Sequence, residues 1–437
     1  MAYQTGLIQK AVAAIALAGG ISSLVTATDV TVIYAGELLA VPGKASEKNK
    51  TVVIKDGIIS EVRDGFADSA EFGEGAKLVD LKNSFVMPGM MDMHVHLQGE
   101  LGPKNDSEKL RFSDADNGMH SVLFAKRTLD AGFTTVRDLG SEPTHIFALR
   151  DAAAKGWVAA PRIIAAGSAV AATGGHGDVD GMRHDLLEKY TPKTICDGAD
   201  DCRHAVRTAV KYGADVIKIT ATGGVLSDTN TGTGQQMTDD ELKEVMDTAH
   251  SLGRKVAAHA HDAVGINAAL KAGVDSIEHG SYADAESVKL FKKTGAYLVP
   301  TLLAGDTVVK MAEGSDFMPT AIKEKAIRVG ADLMKNFSNA YKAGVKIAYG
   351  TDSGVSHHGD NAKEAILMEK AGMPAMEVLK SATVNTADLI SMSDKLGTLE
   401  AGKYADIIAM DGSPLADLHE LLDVDFVMKS GVIYKQN

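Results

Sequence analysis

The sequence predicts an α/β protein, a (β/α)8 TIM barrel with a small β-sandwich domain formed by both chain ends. Three observations carry this prediction. The middle of the chain, residues 89–394, alternates eight short β-branched runs with helical segments, which is the pattern of parallel βα units. Both ends, residues 29–88 and 395–437, alternate apolar and polar residues between turn signals. The 437 residues, 45% of them hydrophobic, suffice for a closed barrel.

The first 28 residues form a separate segment. They contain a lysine, then an apolar stretch rich in alanine and leucine, then small residues. This pattern is typical of a secretory signal peptide and is short for a stable membrane span. The alternative is an N-terminal amphipathic helix kept in the folded protein. A signal peptide predicts export, to the periplasm or the medium, whereas a retained helix predicts a cytoplasmic protein.

The two chain ends predict strands that pair with one another. The N-terminal runs are "VTVIYAGELLAV", "KTVVIKDGIISEV" and "KLVDLKNSFVMPG", and the C-terminal runs are "GTLEAGKYADIIAMDGSP" and "VDFVMKSGVIYKQN". Dipeptides such as Asp-Gly and Ser-Gly between alternating residues favour hairpins, so we expect antiparallel strands. Because both ends frame the barrel region, they predict one sandwich assembled from both.

The middle region supplies the number of strands that closes a barrel. Its eight candidates are "MMDMHVHL", "FTTVRDLG", "RIIAAGS", "DVIKITATGG", "KVAAHAHD", "SIEHGS", "YLVPTLL" and "KIAYGTDSG". The segments between them have helix signals, as in "TDDELKEVMDTAHSLG", which begins on a Thr or Asp cap and ends at glycine.

Charge and cysteine content narrow the function. The formal net charge is -13 and no basic block occurs, so the electrostatic footprint of a nucleic-acid-binding protein is missing and a small-molecule substrate is favoured. Cys196 and Cys202 are the two cysteines. Their spacing fits neither a zinc finger nor a redox pair, which leaves a local disulfide and two unrelated thiols as alternatives.

Unusual polar residues stand where the predicted strands end, the position at which barrel enzymes carry their chemistry. A lone strand histidine is more often a hydrogen-bonded core residue than a ligand. Several histidines and an aspartate converging on one barrel mouth favour a site for divalent transition metals, above all zinc. The residues are His94, His96, Asp138, Lys218, His259, His261, His279 and Asp352.

Lys218 is the sharpest of these signals, since "DVIKIT" places an ammonium group inside an apolar parallel strand. A buried unpaired charge is too costly to leave unexplained. One explanation is a salt bridge to a carboxylate such as Asp352. The other is a lysine of lowered pKa that reacts with carbon dioxide to give a carbamate able to bridge two cations. Spacing leaves both open.

These motifs together resemble the amidohydrolase superfamily of metal-dependent hydrolases. The resemblance rests on "MDMHVH", "VIKI", "AHAH", "SIEHG" and "GTDSG", and with the split sandwich it covers nearly the whole chain. Flanking phrases such as "PGMMDMHVHL", "GADVIKITATGG" and "GTLEAGKYADII" are most similar to the branch of Xaa-Pro dipeptidases and zinc carboxypeptidases, and within it to bacterial ochratoxin-hydrolysing amidohydrolases.

The resemblance implies a binuclear centre, with zinc as the expected ion. His94, His96 and Asp352 would bind one metal ion, His259 and His279 the other, and a carbamate on Lys218 would bridge them. Asp352 would also transfer the proton during hydrolysis. Oligomerisation, as a homo-oligomer, is a further implication. Asp92 and Asp138 are candidate partners of the metal-bound groups, or have a simple structural role.

Two further histidines are candidates for catalysis. His176 lies in "ATGGHGD", a glycine-rich loop after the third barrel strand, where it would donate a hydrogen bond to the substrate carbonyl, unless it merely faces solvent. His261 has the same strand parity as His259, so it should face the site, although related dipeptidases commonly have tyrosine there. His357 and His358 would shape the pocket, and Arg183 or Arg203 would recognise a substrate carboxylate.

The expected activity is hydrolysis of an amide bond that releases a C-terminal amino acid from an N-acyl amino acid or dipeptide. Ochratoxin A, which would yield phenylalanine and ochratoxin alpha, is one such compound. A cyclic amide hydrolase of the imidazolonepropionase type is the alternative, although those enzymes usually lack the lysine of "VIKI". A third alternative is a non-catalytic scaffold protein on the same fold. The presence of all six implied metal ligands argues against it.

Overall fold

The computed structural model describes residues 29–73, 75–227, 232–314 and 318–437. The predicted signal peptide or N-terminal helix, residues 1–28, lies outside them. Within the described ranges the fold is mixed α/β, with one sheet from the chain ends and parallel sheets from the middle. No helix in these ranges combines the length and the apolar character needed to cross a lipid bilayer.

All eight strands predicted for the middle region are confirmed, and neighbours along the chain pair in parallel wherever they share a sheet. Three of them form one sheet in the order β5–β6–β7 and five form another in the order β8 to β12. They are β5 (Met90–Val95), β6 (Phe133–Asp138), β7 (Arg162–Ala165), β8 (Ile217–Thr220), β9 (Val256–Ala260), β10 (Ser276–His279), β11 (Tyr297–Val299) and β12 (Lys346–Ile347).

Backbone hydrogen bonds join the two parallel sheets at both of their edges. On one side a parallel bridge links Val170, which follows β7, to Ile219 of β8. On the other side Val95 of β5 bridges Ser353, which follows β12. The Asp352 N–H donates to the His94 carbonyl over 2.7 Å at this second edge. The first and last strands of the middle region are therefore neighbours.

Helices follow nearly every parallel strand, as the alternating pattern predicts. Capping residues begin several of them: Thr238 and Glu241 form a capping box on α6, and Asp262 caps α7. The helices are α1 (Asn105–Arg111), α2 (Asp114–Asp130), α3 (Pro143–Ala154), α4 (His184–Tyr190), α5 (Ala199–Tyr212), α6 (Asp239–Ser251), α7 (Ala263–Ala272), α8 (Ala285–Thr294), α9 (Leu302–Gly314), α10 (Thr320–Lys342), α11 (Lys363–Lys370), α12 (Ala375–Lys380) and α13 (Thr386–Leu389).

The chain ends form one seven-stranded sheet in the order β15–β14–β13–β4–β1–β2–β3. Its strands are β1 (Val30–Leu38), β2 (Glu47–Lys55), β3 (Ile58–Asp64), β4 (Lys77–Pro88), β13 (Ile407–Met410), β14 (Phe426–Lys429) and β15 (Val432–Gln436). The pairing differs from the expected antiparallel pattern at one place, because β1 and β4 are parallel. Strands β3 and β4 run in the same direction, so the chain has to cross back between them before β4 joins the free edge of β1.

The end sheet is tied closely to the parallel strands. Gly89 lies between β4 and β5, and a Cβ atom at this position would lie 2.3 Å from the Thr134 Oγ1. Only glycine therefore fits where the chain passes from one sheet to the other. Arg162 of β7 adds a salt bridge of 2.7 Å to Asp406 just before β13.

The two cysteines form a disulfide, Cys196–Cys202, which settles the alternative left open by their spacing. The bridge closes the short loop at the start of α5. Within this loop the Asp197 carboxylate accepts hydrogen bonds from the Thr173 N–H and hydroxyl, over 3.2 and 2.8 Å. Since Thr173 begins the glycine-rich segment that contains His176, the disulfide loop supports that segment.

Candidate active site

The structure brings eight of the predicted site residues to one cavity of about 400 Å³ at the carboxyl ends of the parallel strands, whereas Asp138 is not among the residues that line it. His279 ends β10 and His94 is the last residue but one of β5, while Lys218 lies within β8 and Asp352 follows β12. The predicted set that lines the cavity is His94, His96, His176, Lys218, His259, His261, His279 and Asp352. All of them except His96 and His176 are less than 9% exposed.

Three residues of this region hold a left-handed backbone conformation that non-glycine residues rarely adopt. The φ angles are +70° at His279, +58° at Asp352 and +51° at Thr301. Such conformations cost free energy and persist where the surrounding structure enforces them, which happens most often at functional sites. The side chains of all three residues line the cavity.

Two clusters of potential metal ligands lie side by side. His94, His279 and Asp352 form one group and His259, His261 and His279 form the other, and within each group the ligand atoms lie within 4.8 Å of one another. Within the first, Asp352 Oδ1 is 3.0 Å from His96 Nε2 and 3.4 Å from His94 Nε2. Because His279 belongs to both groups, the clusters adjoin.

The hydrogen bonds at the far side of two rings indicate which nitrogen carries the lone pair. His96 Nδ1 lies 2.7 Å from the Gly140 carbonyl oxygen, which can only accept, so Nδ1 carries the hydrogen. His279 Nδ1 lies 2.7 Å from Thr301 Oγ1, whose own hydrogen is donated to the Pro300 carbonyl. In both rings Nε2 is therefore the nitrogen available to bind a metal ion in the cavity.

This arrangement tests whether the residues fit a metal ion. His96 Nε2 lies 3.0 Å from the Asp352 carboxylate oxygen. Burial opposes the charged form of His96, but Asp352 outweighs it and raises the His96 pKa, so a proton or a metal ion on Nε2 suits this contact. Asp352 Oδ1 is also buried without a hydrogen-bond partner. Imidazole and carboxylate are ligands that zinc and related divalent ions prefer. The His/Asp groups therefore fit a metal ion.

Burial keeps most of the cluster neutral. The pKa values of His94, His259 and His279 lie well below 6.5, mainly because burial penalises the imidazolium form and secondarily because of neighbouring positive groups. Burial works against the charged form of Asp352 too, but His94 and His96 outweigh it and lower the Asp352 pKa. These three imidazoles are thus neutral, whereas the His96 pKa is raised, because Asp352 outweighs the effect of burial on that ring.

His176 and His261 differ from the ligand candidates in their partners. His176 Nδ1 lies 2.6 Å from Ser227 Oγ, and His261 Nδ1 lies 2.7 Å from Ser281 Oγ. A serine hydroxyl can donate as well as accept, so it can leave Nε2 protonated and facing the cavity. Burial lowers the pKa of each histidine to about 3, so both are neutral rings able to donate a hydrogen bond.

Lys218 is 5% exposed. Burial is the largest influence on its ammonium group and lowers its pKa to about 8, although Glu278 and Asp352 act in the opposite direction. Among the described residues, no carboxylate oxygen lies within the 4.0 Å of a salt bridge from Lys218 Nζ. The salt-bridge explanation of this buried lysine is therefore not realised within the described part of the chain.

A buried ion pair beneath the site was missed by the sequence analysis. Arg137 of β6 donates to Glu278 Oε1 of β10 over 2.9 Å, and their side chains are 2% and 0% exposed. Arg137 also donates to the Met93 carbonyl over 2.7 Å. Glu278 Oε2 lies 3.1 Å from His94 Nδ1. The Glu278 carboxylate therefore contacts one ring nitrogen of His94, and Asp352 contacts the other, Nε2. The signal that identified Lys218, a charge inside an apolar strand, is equally present in "TTVRDL" and "SIEHG".

Replacing Glu278 by glutamine should destabilise the protein strongly. The change leaves the buried Arg137 guanidinium without its counter-charge, and breaking such a pair costs about 3–5 kcal/mol. Thermal unfolding followed by circular dichroism measures the effect. The matched control is Glu61→Gln, which breaks the Glu61–Arg63 pair, whose side chains are both 38% exposed. Equal melting temperatures for the two variants would contradict this role of Glu278.

The other sequence candidates lie elsewhere. His357 Nδ1 lies within hydrogen-bond distance of Glu100 Oε2, at 2.9 Å, and the buried His358 ring stacks on Phe124. Neither histidine lines the cavity. The two arginines proposed for carboxylate recognition form ion pairs outside the cavity, Arg183 with Asp185 and Arg203 with Glu244.

The two aspartates have supporting positions. Asp92 accepts hydrogen bonds from the Thr351 hydroxyl and the Asn361 amide, over 2.6 and 2.8 Å. Asp138 accepts from the Leu97 N–H over 2.8 Å. They therefore brace the segments that carry His94, His96 and Asp352.

Comparison with known proteins identifies the family and several relatives of this chain. A family model described as the amidohydrolase family matches residues 85–434. Ochratoxinase from Aspergillus niger is 32% identical over 427 residues, which cover 93% of this chain and 87% of that protein. The crystal structure of a Xaa-Pro dipeptidase with methionine bound in its active site superposes with a TM-score of 0.88 at 41% identity, covering 93% of this chain and 100% of that one. The A. niger ochratoxinase structure superposes with a TM-score of 0.83 at 30% identity, covering 94% and 96%.

Proposed function

Since this chain belongs to the amidohydrolase family, we propose that it is a binuclear metal-dependent amidase that releases a C-terminal amino acid from N-acyl amino acids or dipeptides. The observation that carries the proposal is the contact of Asp352 with His94 and His96, a donor set that fits a metal ion, inside a cavity that also holds Lys218. The relatives named ochratoxinase and Xaa-Pro dipeptidase support this substrate class, with ochratoxin A among the candidate substrates.

The cavity walls fit such a substrate. One side of the cavity is apolar, formed largely by the facing sides of α9 and α10, and is lined by Ala304, Gly305, Val308, Ala326, Val329, Gly330 and Leu333. An apolar amino-acid side chain would lose its hydration there at little cost in unpaired polar groups. The related dipeptidase that binds methionine in its active site agrees with an apolar side chain.

Six residues would hold the metal ions. His94, His96 and Asp352 would bind one ion and His259 and His279 the other, with a carbamate on Lys218 between them. His259 Nε2 lies 3.4 Å from the Gly223 carbonyl, which leaves Nδ1 as its ligand atom. When bound, divalent ions such as Zn²⁺ supply Lewis acidity to the substrate carbonyl and to a water molecule.

The carbamate would form from the neutral amine of Lys218 and carbon dioxide. The nitrogen lone pair makes a new N–C bond to carbon dioxide, and the amine loses one proton to solvent. With a pKa of about 8, roughly one Lys218 in ten is neutral at pH 7, against about one in three thousand for an ordinary lysine. Burial thus prepares this lysine for the reaction.

Asp352 would move the proton during hydrolysis. Its lowered pKa keeps it ionised at neutral pH, so it can accept a proton from the water molecule that attacks the carbonyl carbon. As the C–N bond breaks, Asp352 returns that proton to the leaving nitrogen. The products are a carboxylate and a free amine.

His176 would stabilise the negative charge on the carbonyl oxygen. With the Ser227 hydroxyl donating to Nδ1, the Nε2–H of His176 faces the cavity as a fixed donor. Lys325 of α10 holds the segment in place, since its Nζ donates to the Ser227 carbonyl over 2.6 Å. His261, backed by Ser281, would be the second such donor.

The proposal extends to architecture and assembly. The bridged edges of the two parallel sheets support a closed eight-stranded barrel. One apolar cluster of the end sheet includes Ile33, Val52 and Phe426 from both chain ends, which supports folding of that sheet into a sandwich. We further propose, from family resemblance, a homo-oligomer, and from residues 1–28, export.

Amino-acid release tests the proposed function. Zinc-loaded, bicarbonate-supplied protein is incubated with N-acetyl-L-phenylalanine, Xaa-Pro dipeptides, ochratoxin A and a cyclic amide, and products are measured by mass spectrometry. We expect release of the C-terminal amino acid from at least one acyclic compound. Hydrolysis of the cyclic amide alone would overturn the proposal in favour of a cyclic amide hydrolase. If no compound is hydrolysed, the proposed substrate class is wrong.

A further inference from the structure

The segment that follows β8 encloses the His176 ring on two sides. On one side His176 Nδ1 lies 2.6 Å from Ser227 Oγ. On the other side the ring lies against Gly224, where a Cβ atom would be 2.2 Å from His176 Cε1 and 2.3 Å from Nδ1. Only glycine leaves room for the ring at this position. A small displacement of either Gly224 or Ser227 would therefore move the His176 ring.

This segment has little regular structure to hold it in place. Residues 223–227 belong to no helix or strand. Val225 and Leu226 pack against an apolar cluster that includes Val308 of α9 and Ile322 of α10. Apolar packing is not directional, so it keeps the segment buried without fixing the angle of the hydrogen bond to the ring.

Lys325 of α10 supplies a directional anchor. Its Nζ donates to the Ser227 carbonyl over 2.6 Å and makes a longer contact, 3.4 Å, with the Gly224 carbonyl. These are the two residues that enclose the His176 ring. Lys325 is 6% exposed, and burying an ammonium group costs free energy that an apolar residue at the same position would avoid. Packing alone therefore does not explain a lysine here.

The helix that carries Lys325 also forms part of the cavity wall. Ala326 and Val329 of α10 line the cavity on its apolar side. Lys325 thus ties the His176 segment to the helix against which the amino-acid side chain of the substrate would pack. The placement of the His176 ring relative to that wall then depends on one ammonium group.

We propose that Lys325 is a positioning residue for hydrolysis: by holding Gly224 and Ser227, it fixes the His176 ring with its Nε2–H directed at the substrate carbonyl. This inference rests on the proposed amidase function and gives a role in it to a residue that does not line the cavity. Without the ammonium group the His176 ring stays in the site but loses its fixed orientation.

Three variants test the inference. Lys325→Met removes the ammonium group and keeps an unbranched apolar side chain in its place. Gly224→Ala displaces the ring directly, through the added Cβ atom. The control is Lys335→Met, which makes the same chemical change at an exposed position of α10. Melting temperatures show whether each variant keeps the fold.

Kinetics of the zinc-loaded, bicarbonate-supplied enzyme separate positioning from a general structural role. Lys325→Met and Gly224→Ala should each lower kcat by about 10- to 100-fold, because a misplacement of about 1 Å can cost that much. KM should stay within about threefold, and Lys335→Met should match wild type. Wild-type kcat in Lys325→Met would overturn the inference.

A double variant shows whether Lys325 acts through His176. His176→Ala alone should lower kcat by about 10²- to 10³-fold, the effect of losing one donor to the carbonyl oxygen. Adding Lys325→Met to His176→Ala should change kcat by less than about twofold, since the ring to be positioned is already gone. Losses that multiply in the double variant would overturn the inference, because Lys325 would then act independently of His176.

Nuclear magnetic resonance of ¹⁵N-histidine-labelled protein follows the ring without any turnover. The ¹⁵N shifts of a neutral imidazole show which nitrogen carries the hydrogen, and His176→Ala identifies the His176 signals. We expect hydrogen on Nε2 in wild type and Lys335→Met, and a mixture of both tautomers in Lys325→Met. That result supports the inference even if no compound is hydrolysed and the proposed function fails. Hydrogen on Nδ1 in wild type, or unchanged His176 signals in Lys325→Met, would overturn the inference whatever the enzyme hydrolyses.

Discussion

Replacing Lys218 by alanine should abolish both hydrolysis and the binding of a metal pair. Lys218 lies among the predicted ligands, is 5% exposed and has a pKa lowered to about 8 by burial. Lys218 is the one lysine among the described residues that line the cavity, so alanine removes the amine that would take up carbon dioxide, and with it the proposed bridging anion. We expect metal content to fall from near two ions per chain to one or fewer, and amidase activity to fall below detection. Metal analysis and amino-acid release measure these losses.

The chain offers a closely matched control. Lys429 of β14 is 7% exposed and has a pKa lowered to about 8, mainly by burial, but it lies in the end sheet and donates to the Ala160 carbonyl. Lys429→Ala should cost stability and leave metal content and activity in place. With ¹³C-bicarbonate, a carbamate NMR signal should appear in wild type and in Lys429→Ala and be missing from Lys218→Ala. A fully active, two-metal Lys218→Ala variant would contradict the bridging role.

The order of elements could be predicted because local periodicity determines it. Each parallel strand is a short β-branched run between turn residues, and all eight are present in the structure. The pairing of β1 with β4 could not be predicted in this way. Alternation tells which face of a strand is buried, but the partner of a strand depends on the path of the chain between strands. The crossing between β3 and β4 has no local signature.

The convergence of the candidate site residues could be predicted from strand geometry. Strand parity and strand ends place His94, His259 and Lys218 on one side of a parallel sheet, so their convergence follows from the fold. The supporting contacts do not follow from it. Glu278 and Arg137 gave the same signal as Lys218, but their mutual pairing across β6 and β10 depends on tertiary packing.

Helix residues were the least predictable part of the site. His145 lies in α3 and is 8% exposed, although a histidine on a helix is usually exposed, so no pattern in the sequence predicted its burial. Arg183 and Arg203 were predicted to bind a substrate carboxylate, but each forms an ion pair with a nearby aspartate, Asp185 and Asp200 respectively. Exposed arginines near the start of a helix commonly form such pairs. In each case the outcome depends on which helix face meets the strands.

Replacing Asp352 by asparagine should lower kcat by about 10²- to 10⁴-fold, the range expected for loss of a positioned proton-transfer group. Asparagine has nearly the same shape, but its amide cannot accept a proton from water at neutral pH. It also tolerates the left-handed backbone at this position, where φ is +58°. The fold should therefore survive, and KM should change much less than kcat because the cavity walls are unchanged.

The matched control is Asp56→Asn, which makes the same chemical change at another left-handed aspartate, with φ of +50°, in the turn between β2 and β3. It should match wild type in kcat, KM and melting temperature. Metal content is measured alongside, because Asp352 contacts both His94 and His96 and its charge also favours a bound cation. If Asp352→Asn loses activity and regains it at saturating zinc, the carboxylate acts mainly as a ligand. If the variant keeps two metal ions and still loses kcat, proton transfer is the main role of Asp352. If the variant binds both ions and retains more than a tenth of the wild-type kcat, another group moves the proton.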